Sequence, residues 1–127
     1  MQTSFIKKTL LLAMLLVTSS VWADWLIASS SDSNDRYFDP ATIVKDGHFR
    51  QVEEIVDYKK GSNSRAWSQW AKSEYDCRRE QWRNMSLKTY SEPMARGPIL
   101  IQTGVTEWKG VKPETVGAKV LRIVCGK

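Results

Sequence analysis

Thr42-Ile43-Val44-Lys45-Asp46-Gly47-His48-Phe49-Arg50-Gln51-Val52 carries the strongest hairpin signal in the chain. Two β-prone runs flank an Asp-Gly pair, and a type I′ turn needs positive φ at its centre, which Asp-Gly accepts at least cost. In the returning run, residues 49–55, Phe49, Gln51 and Glu53 alternate with Arg50, Val52 and Glu54. Neither set is purely apolar, so one face of this strand is expected to meet solvent. Glu53 and Glu54 are neighbours, point to opposite faces, and cannot form a carboxylate pair by themselves.

Working outward, Trp25 to Ala28 reads as a first strand and Ser29 to Asp35 as a polar turn segment. Arg36 to Asp39 is a short β-prone piece stopped by Pro40, which also biases Asp39 toward extended backbone. Lys59 to Ser64 is a loop. Residues 65–90 admit two readings. Trp67, Trp70, Ala71 and Glu74 recur at helical spacing, whereas Tyr75, Cys77 and Arg79 share one face of a strand, and periodicity alone leaves both open. Pro93, Gly97 and Pro98 predict a loop before a strand at Ile99 to Ile101. Near the C-terminus, Pro113-Glu114-Thr115 reads as a helix start, with Thr115 as cap and Glu114 near the positive end of the dipole. Val116, Val120, Leu121 and Val124 then form one apolar face, with Lys119 and Arg122 toward solvent. The β-branched content gives weak intrinsic helix propensity, so packing must hold this helix.

The N-terminus reads as an export signal. Lys7 and Lys8 precede the apolar run Leu10 to Val17, which is too short to span a bilayer, and Val21-Trp22-Ala23 places small residues at the cleavage positions. The expected division is a cleaved signal at residues 1–23 and one domain at residues 24–127. Losing Lys7 and Lys8 lowers the formal charge from +5 to +3. So mild an excess is no basis for nucleic acid binding, which usually needs a strong basic stripe. No second apolar run is long enough to cross a membrane, and Asp24 follows the cleavage point with no cysteine near it to be acylated. The expectation is a freely released periplasmic or secreted protein that is not lipid-anchored. In an oxidising compartment Cys77 and Cys125, the two cysteines present, are most simply read as one disulfide. A redox or zinc role fits poorly, because there is no C-x-x-C spacing and one histidine does not complete a ligand set.

The mature chain resembles the bacterial surface-adhesin E family. The residues that carry the likeness are Trp25, Tyr37-Phe38-Asp39, Ile43, Asp46-Gly47, Val52, Asp57-Tyr58 and Tyr75-Asp76-Cys77, then Arg79, Arg83, Tyr90-Ser91, Met94 and Gly97, and finally Trp108, Val111, Pro113, Thr115, Leu121 and Val124-Cys125. The resemblance implies an α+β, mainly β fold: an antiparallel sheet of about five or six strands with one C-terminal helix packed on it, tied by the two cysteines. It also favours two long strands over residues 65–90. Characterised members of the family act as surface adhesins that bind host extracellular-matrix and plasma proteins, so the expected partners are such proteins or an envelope protein. The alternative role is a periplasmic accessory or structural protein without a host ligand.

Arg78, Arg79, Trp82, Arg83 and Lys88 form the candidate contact surface, with arginines forking onto acidic groups and Trp82 as anchor. The competing reading is a solvated strand face with Trp82 in the core. His48 is the single histidine and is expected at an exposed turn; no G-x-S-x-G elbow and no Gly-rich phosphate loop accompany it. Asp39, Asp57 and Asp76 are not brought together by spacing alone. No enzyme activity, cofactor or metal is therefore expected. Five tryptophans follow the cleavage point (Trp25, Trp67, Trp70, Trp82 and Trp108), and core packing is expected to take most of them.

Overall fold

The computed structural model describes residues 24–60 and 65–126. The expected signal, residues 1–23, lies outside the described residues, as do residues 61–64 of the expected loop. Seven strands and one helix follow in chain order among the described residues: β1 (Leu26–Ser30), β2 (Asn34–Asp46), β3 (Phe49–Tyr58), β4 (Ser68–Asp76), β5 (Gln81–Glu92), β6 (Arg96–Thr103), β7 (Lys109–Gly110) and α1 (Val116–Cys125). Each strand from β1 to β6 pairs antiparallel with the next, and the short β7 pairs with β5 beside Gln81 and Trp82.

The Asp46-Gly47 hairpin forms, with a different turn from the one expected. Asp46 pairs with Phe49, so Gly47 and His48 are the central residues. Of these two only Gly47 has positive φ, at 59°. That is the type II′ pattern, in which glycine takes the first central position.

Pro40 does not stop the strand. β2 runs through it because two side chains replace the ladder bonds that proline removes. Asp39 Oδ1 accepts from the Ala41 N–H at 3.0 Å, and Thr42 Oγ1 donates to the Asp39 carbonyl at 2.7 Å while accepting from the Glu53 N–H at 2.9 Å. The register shifts between Asp39 and Val44 as a result. Such a bulge is where a proline within a sheet is accommodated.

Residues 65–90 hold two strands and no helix. β4 and β5 are joined through residues 77–80, and β3 pairs with β4 along its whole length. The strand expected at Ile99 begins earlier, at Arg96, so the β5–β6 turn is only Pro93-Met94-Ala95. Met94 and Ala95 both have φ of 56°. Their N–H groups are held by Asp57 Oδ1 at 2.9 Å and by Ser68 Oγ at 2.8 Å, and Ser68 Oγ donates in turn to the Glu92 carbonyl at 2.6 Å. Beyond this turn Leu100 is an extra residue against β5, and β6 is exposed throughout. At the other edge of the sheet Ala28 is likewise an extra residue in β1 against β2.

The helix covers one face of the sheet. Phe38, Val52 and Tyr75 from β2, β3 and β4 pack with Val120, Leu121 and Val124 of α1. Thr115 caps the helix, its hydroxyl accepting from the Ala118 N–H at 3.2 Å, and Gly126 ends it in the left-handed region. Glu114 precedes the cap with φ of 61°, so the first turn itself carries no acidic residue. The expected disulfide joins Cys77, just past β4, to Cys125 at the end of the helix. Five partly buried or exposed tryptophans replace the expected aromatic core: Trp67 is exposed and the other four are half-buried. Small and medium aliphatic residues plus Phe38 and Tyr75 fill the interior instead.

Candidate functional site

The face of the sheet away from the helix carries two clusters in which a cationic side chain meets an aromatic ring. Its composition follows from strand register. Tyr37, Ile55, Trp70 and Lys88 are cross-strand neighbours on β2 to β5. Ile55 is buried beneath this row. Lys88 Nζ stands 5.2 Å from the centroid of the Trp70 ring, and Trp70 Nε1–H donates to Glu53 Oε1 at 3.2 Å. A second row joins Gln51, Glu74 and Arg83. Arg83 donates to Glu74 Oε1 from Nε at 2.9 Å and contacts the same oxygen from Nη2 at 2.7 Å, while Gln51 donates to Oε2 at 3.3 Å. The Arg83 guanidinium also lies 4.5 Å from the Trp108 ring centroid, and Phe49 packs against Trp108. Aromatic faces and arginine are the groups most enriched where proteins make strong contacts. A cation over an aromatic face also contributes attraction that water screens only partly.

The five residues expected to form one contact surface are divided. Arg83 and Lys88 lie on this open face. Trp82 lies on the helix side, where it packs against the core cluster. Arg78 and Arg79 sit in the turn between β4 and β5. Three residues of the open face, Trp70, Glu74 and Trp108, were not among the expected contacts. Nothing in local spacing marks them. Trp70 meets Lys88 and Glu74 meets Arg83 only through the β4–β5 register, and Trp108 arrives from a segment 25 positions later in sequence than Arg83.

The aspartates stay apart, each supporting its own turn. Asp76 is buried, and its Oδ1 accepts the backbone N–H groups of both Arg78 and Arg79 at 3.0 Å, with His48 Nε2 3.8 Å away. Burial raises the Asp76 pKa, but the Arg79 and Arg78 N–H bonds together with the nearby His48 and Arg79 charges outweigh it and hold the carboxyl below the ordinary aspartate range. A depressed folded value means that the stabilisation is complete above the unfolded pKa and disappears as pH falls through the folded one. We therefore expect Asp76→Asn to flatten the acid limb of stability, measured as urea midpoints between about pH 7 and pH 2. Asp76→Ala should cost about 1–2 kcal/mol at neutral pH, comparable to losing a helix cap. An acid limb unchanged in Asp76→Asn would show that other carboxylates set it. His48 is half-buried rather than fully exposed, with its ring against Phe49 and its carbonyl accepting from the Cys77 N–H at 2.8 Å.

On the helix side a charged group lies inside the core. Glu54 is 3 % exposed and accepts from the Tyr75 hydroxyl at 2.8 Å, with Arg36 Nη1 at 3.5 Å from its other oxygen. Burial first, then the Glu54 charge and hydrogen bond, push the Tyr75 hydroxyl pKa well above its usual value, while Arg36 opposes them. Glu53 and Glu54 do point to opposite faces, one to Trp70 and one to Tyr75. Among the described residues no three His, Cys, Asp or Glu side chains stand close enough to hold a metal ion. No helix among them is long and apolar enough to cross a membrane.

The fold has known counterparts. A crystal form of Haemophilus influenzae protein E is similar with a TM-score of 0.57 at 14% identity, covering 86% of this chain and 97% of that one. Protein E from non-typeable Haemophilus influenzae is similar with a TM-score of 0.59 at 16% identity, covering 86% of this chain and 80% of that one. At such low identity these likenesses establish the fold. No curated protein sequence matches the chain. The sequence pattern of the family described as surface-adhesin protein E matches residues 25–126, which spans the whole sheet, both cysteines and the helix. The chain thus belongs to the surface-adhesin protein E family.

Proposed function

We propose that this adhesin-like protein is exported, has no enzymatic activity, and contacts host extracellular-matrix or plasma proteins through the open face of its sheet. The supporting observation is the two cation–aromatic pairs, Trp70–Lys88 and Arg83–Trp108, on the face that α1 leaves uncovered. Arg83 spends part of its guanidinium on Glu74, yet a planar fork of five donors has capacity for a further carboxylate. Trp70 and Trp108 supply apolar area beside the charges, the combination found at binding hot spots. The opposite face packs against the helix.

The test is binding of the purified oxidised protein to a panel of immobilised matrix and plasma proteins. Saturable binding is expected to at least one of them, weakened at least tenfold by Lys88→Glu combined with Trp108→Ala. Circular dichroism and an unchanged unfolding midpoint would establish that this variant still folds. Binding no greater than that of a reduced, alkylated and urea-denatured control across the panel would overturn the reading. Protection of the chain from protease added to intact cells would also overturn it, by placing the protein inside the outer membrane as an accessory protein.

A further inference from the structure

We propose that the cleft between the start of α1 and the sheet binds a small organic carboxylate with an aromatic or branched apolar body. The cleft has a volume of about 630 Å³, within the size range of sites that enclose small ligands. Trp82 and Tyr75 form its aromatic floor, and Val111 and Val116 form an aliphatic wall. Its charged lining residues are Arg36, Lys109 and Lys112, and no Asp or Glu lines it. Glu54, the acid beneath the adjoining small pocket, is turned to the Tyr75 hydroxyl. The cleft therefore pairs a cationic rim with an apolar floor.

Backbone bonds fix the wall of the cleft before any ligand arrives. Lys109 pairs with Trp82 and Gly110 with Gln81 across β7 and β5, and the Val111 N–H donates to the Glu80 carbonyl at 2.9 Å. These bonds hold the wall against the sheet. Lys109 Nζ stands 5.7 Å from the Trp82 ring centroid, so its charge lies above the apolar floor. The contact of Arg36 to Glu54 engages Nη1 alone, leaving the rest of the guanidinium fork oriented by a buried carboxylate. The N-terminus of α1 adds partial positive charge from the same side. A monoanion with an apolar body satisfies both halves of the site. A compact, strongly hydrated phosphate would satisfy only the rim and would lose hydration over the floor. This inference does not depend on the matrix-contact reading, which uses the opposite face of the sheet.

The test is titration of the ¹⁵N-labelled oxidised protein with N-acetylphenylalaninate, with its neutral amide, and with inorganic phosphate, followed by NMR. The carboxylate should shift the Trp82 indole N–H and the Val111 and Gly117 amides, with a Kd at least tenfold below that of the amide or of phosphate. Lys109→Glu combined with Lys112→Glu should raise that Kd at least tenfold while leaving signals from β2 to β4 in place; both lysines are exposed, so the fold should survive. Equal affinity for the amide would overturn the charge argument, and equal affinity for phosphate would overturn the apolar one. Shifts spread over lysines outside the cleft would overturn the site itself.

Discussion

Urea unfolding of the Cys77→Ala/Cys125→Ala variant is expected to show a loss of about 4 kcal/mol relative to the oxidised protein. The disulfide closes a loop of 48 positions, and cross-linking a loop of that length removes much conformational freedom from the unfolded chain. The loss is large because a domain of this size has only about 5–15 kcal/mol in total. The position of the bond adds to the effect. Cys77 directly follows the buried Asp76, and Cys125 closes the helix whose Val120, Leu121 and Val124 complete the core. The helix, rich in β-branched residues, has weak intrinsic propensity, so its helicity depends on staying docked. A loss below about 1 kcal/mol would mean that the unfolded chain already holds the two segments together.

The second large effect is expected at Tyr75. Tyr75→Ala should destabilise by about 4 kcal/mol, because it empties a site that is 1 % exposed and leaves Glu54 without its hydroxyl donor. Tyr75→Phe keeps the ring and removes only the donor to a buried carboxylate, so about 2 kcal/mol is expected. The pH dependence distinguishes the two contributions. The folded-state pKa of Tyr75 is raised, so its contribution is complete below the ordinary tyrosine value of about 10 and is lost as pH rises toward the elevated folded value. Tyr75→Phe should therefore flatten the alkaline limb of the urea midpoint. A wild-type alkaline limb retained in Tyr75→Phe would show that Tyr75 does not set it.

The parts of this fold that could be read in advance rest on local chemistry. Gly47 marks the hairpin because positive φ is cheap only there, and Thr115 with the Val120, Leu121 and Val124 stripe marks the helix. The compartment implied by the N-terminal segment pairs the two cysteines. What could not be read depends on partners distant in sequence. Pro40 reads locally as a strand end, yet Asp39 and Thr42 supply the bonds it lacks, one of them to Glu53 across the sheet. Trp67, Trp70, Ala71 and Glu74 had helical spacing by coincidence, since β3 and β5 pair with this segment on both sides. The candidate site shows the same division. Arg83 and Lys88 stand out by composition, whereas the placement of Trp70, Trp108 and Glu74 beside them follows only from the folded sheet. Of the two readings open for Trp82, contact anchor or core residue, the structure agrees with the second, because adjacent residues on a strand face opposite ways and Arg83 takes the open side.

The two outer strands have a bearing on how such a protein stays dispersed. Ile99, Leu100 and Ile101 offer a passing polypeptide an oily border, and Leu26 and Ile27 do so at the far margin. A straight border of that kind would invite another chain to zip on and seed fibrils. Neither border is straight. Leu100 and Ala28 each kink their strand by one surplus residue, and Pro98 has no amide hydrogen to offer a newcomer. A protein with these interruptions can keep greasy margins available without polymerising through them.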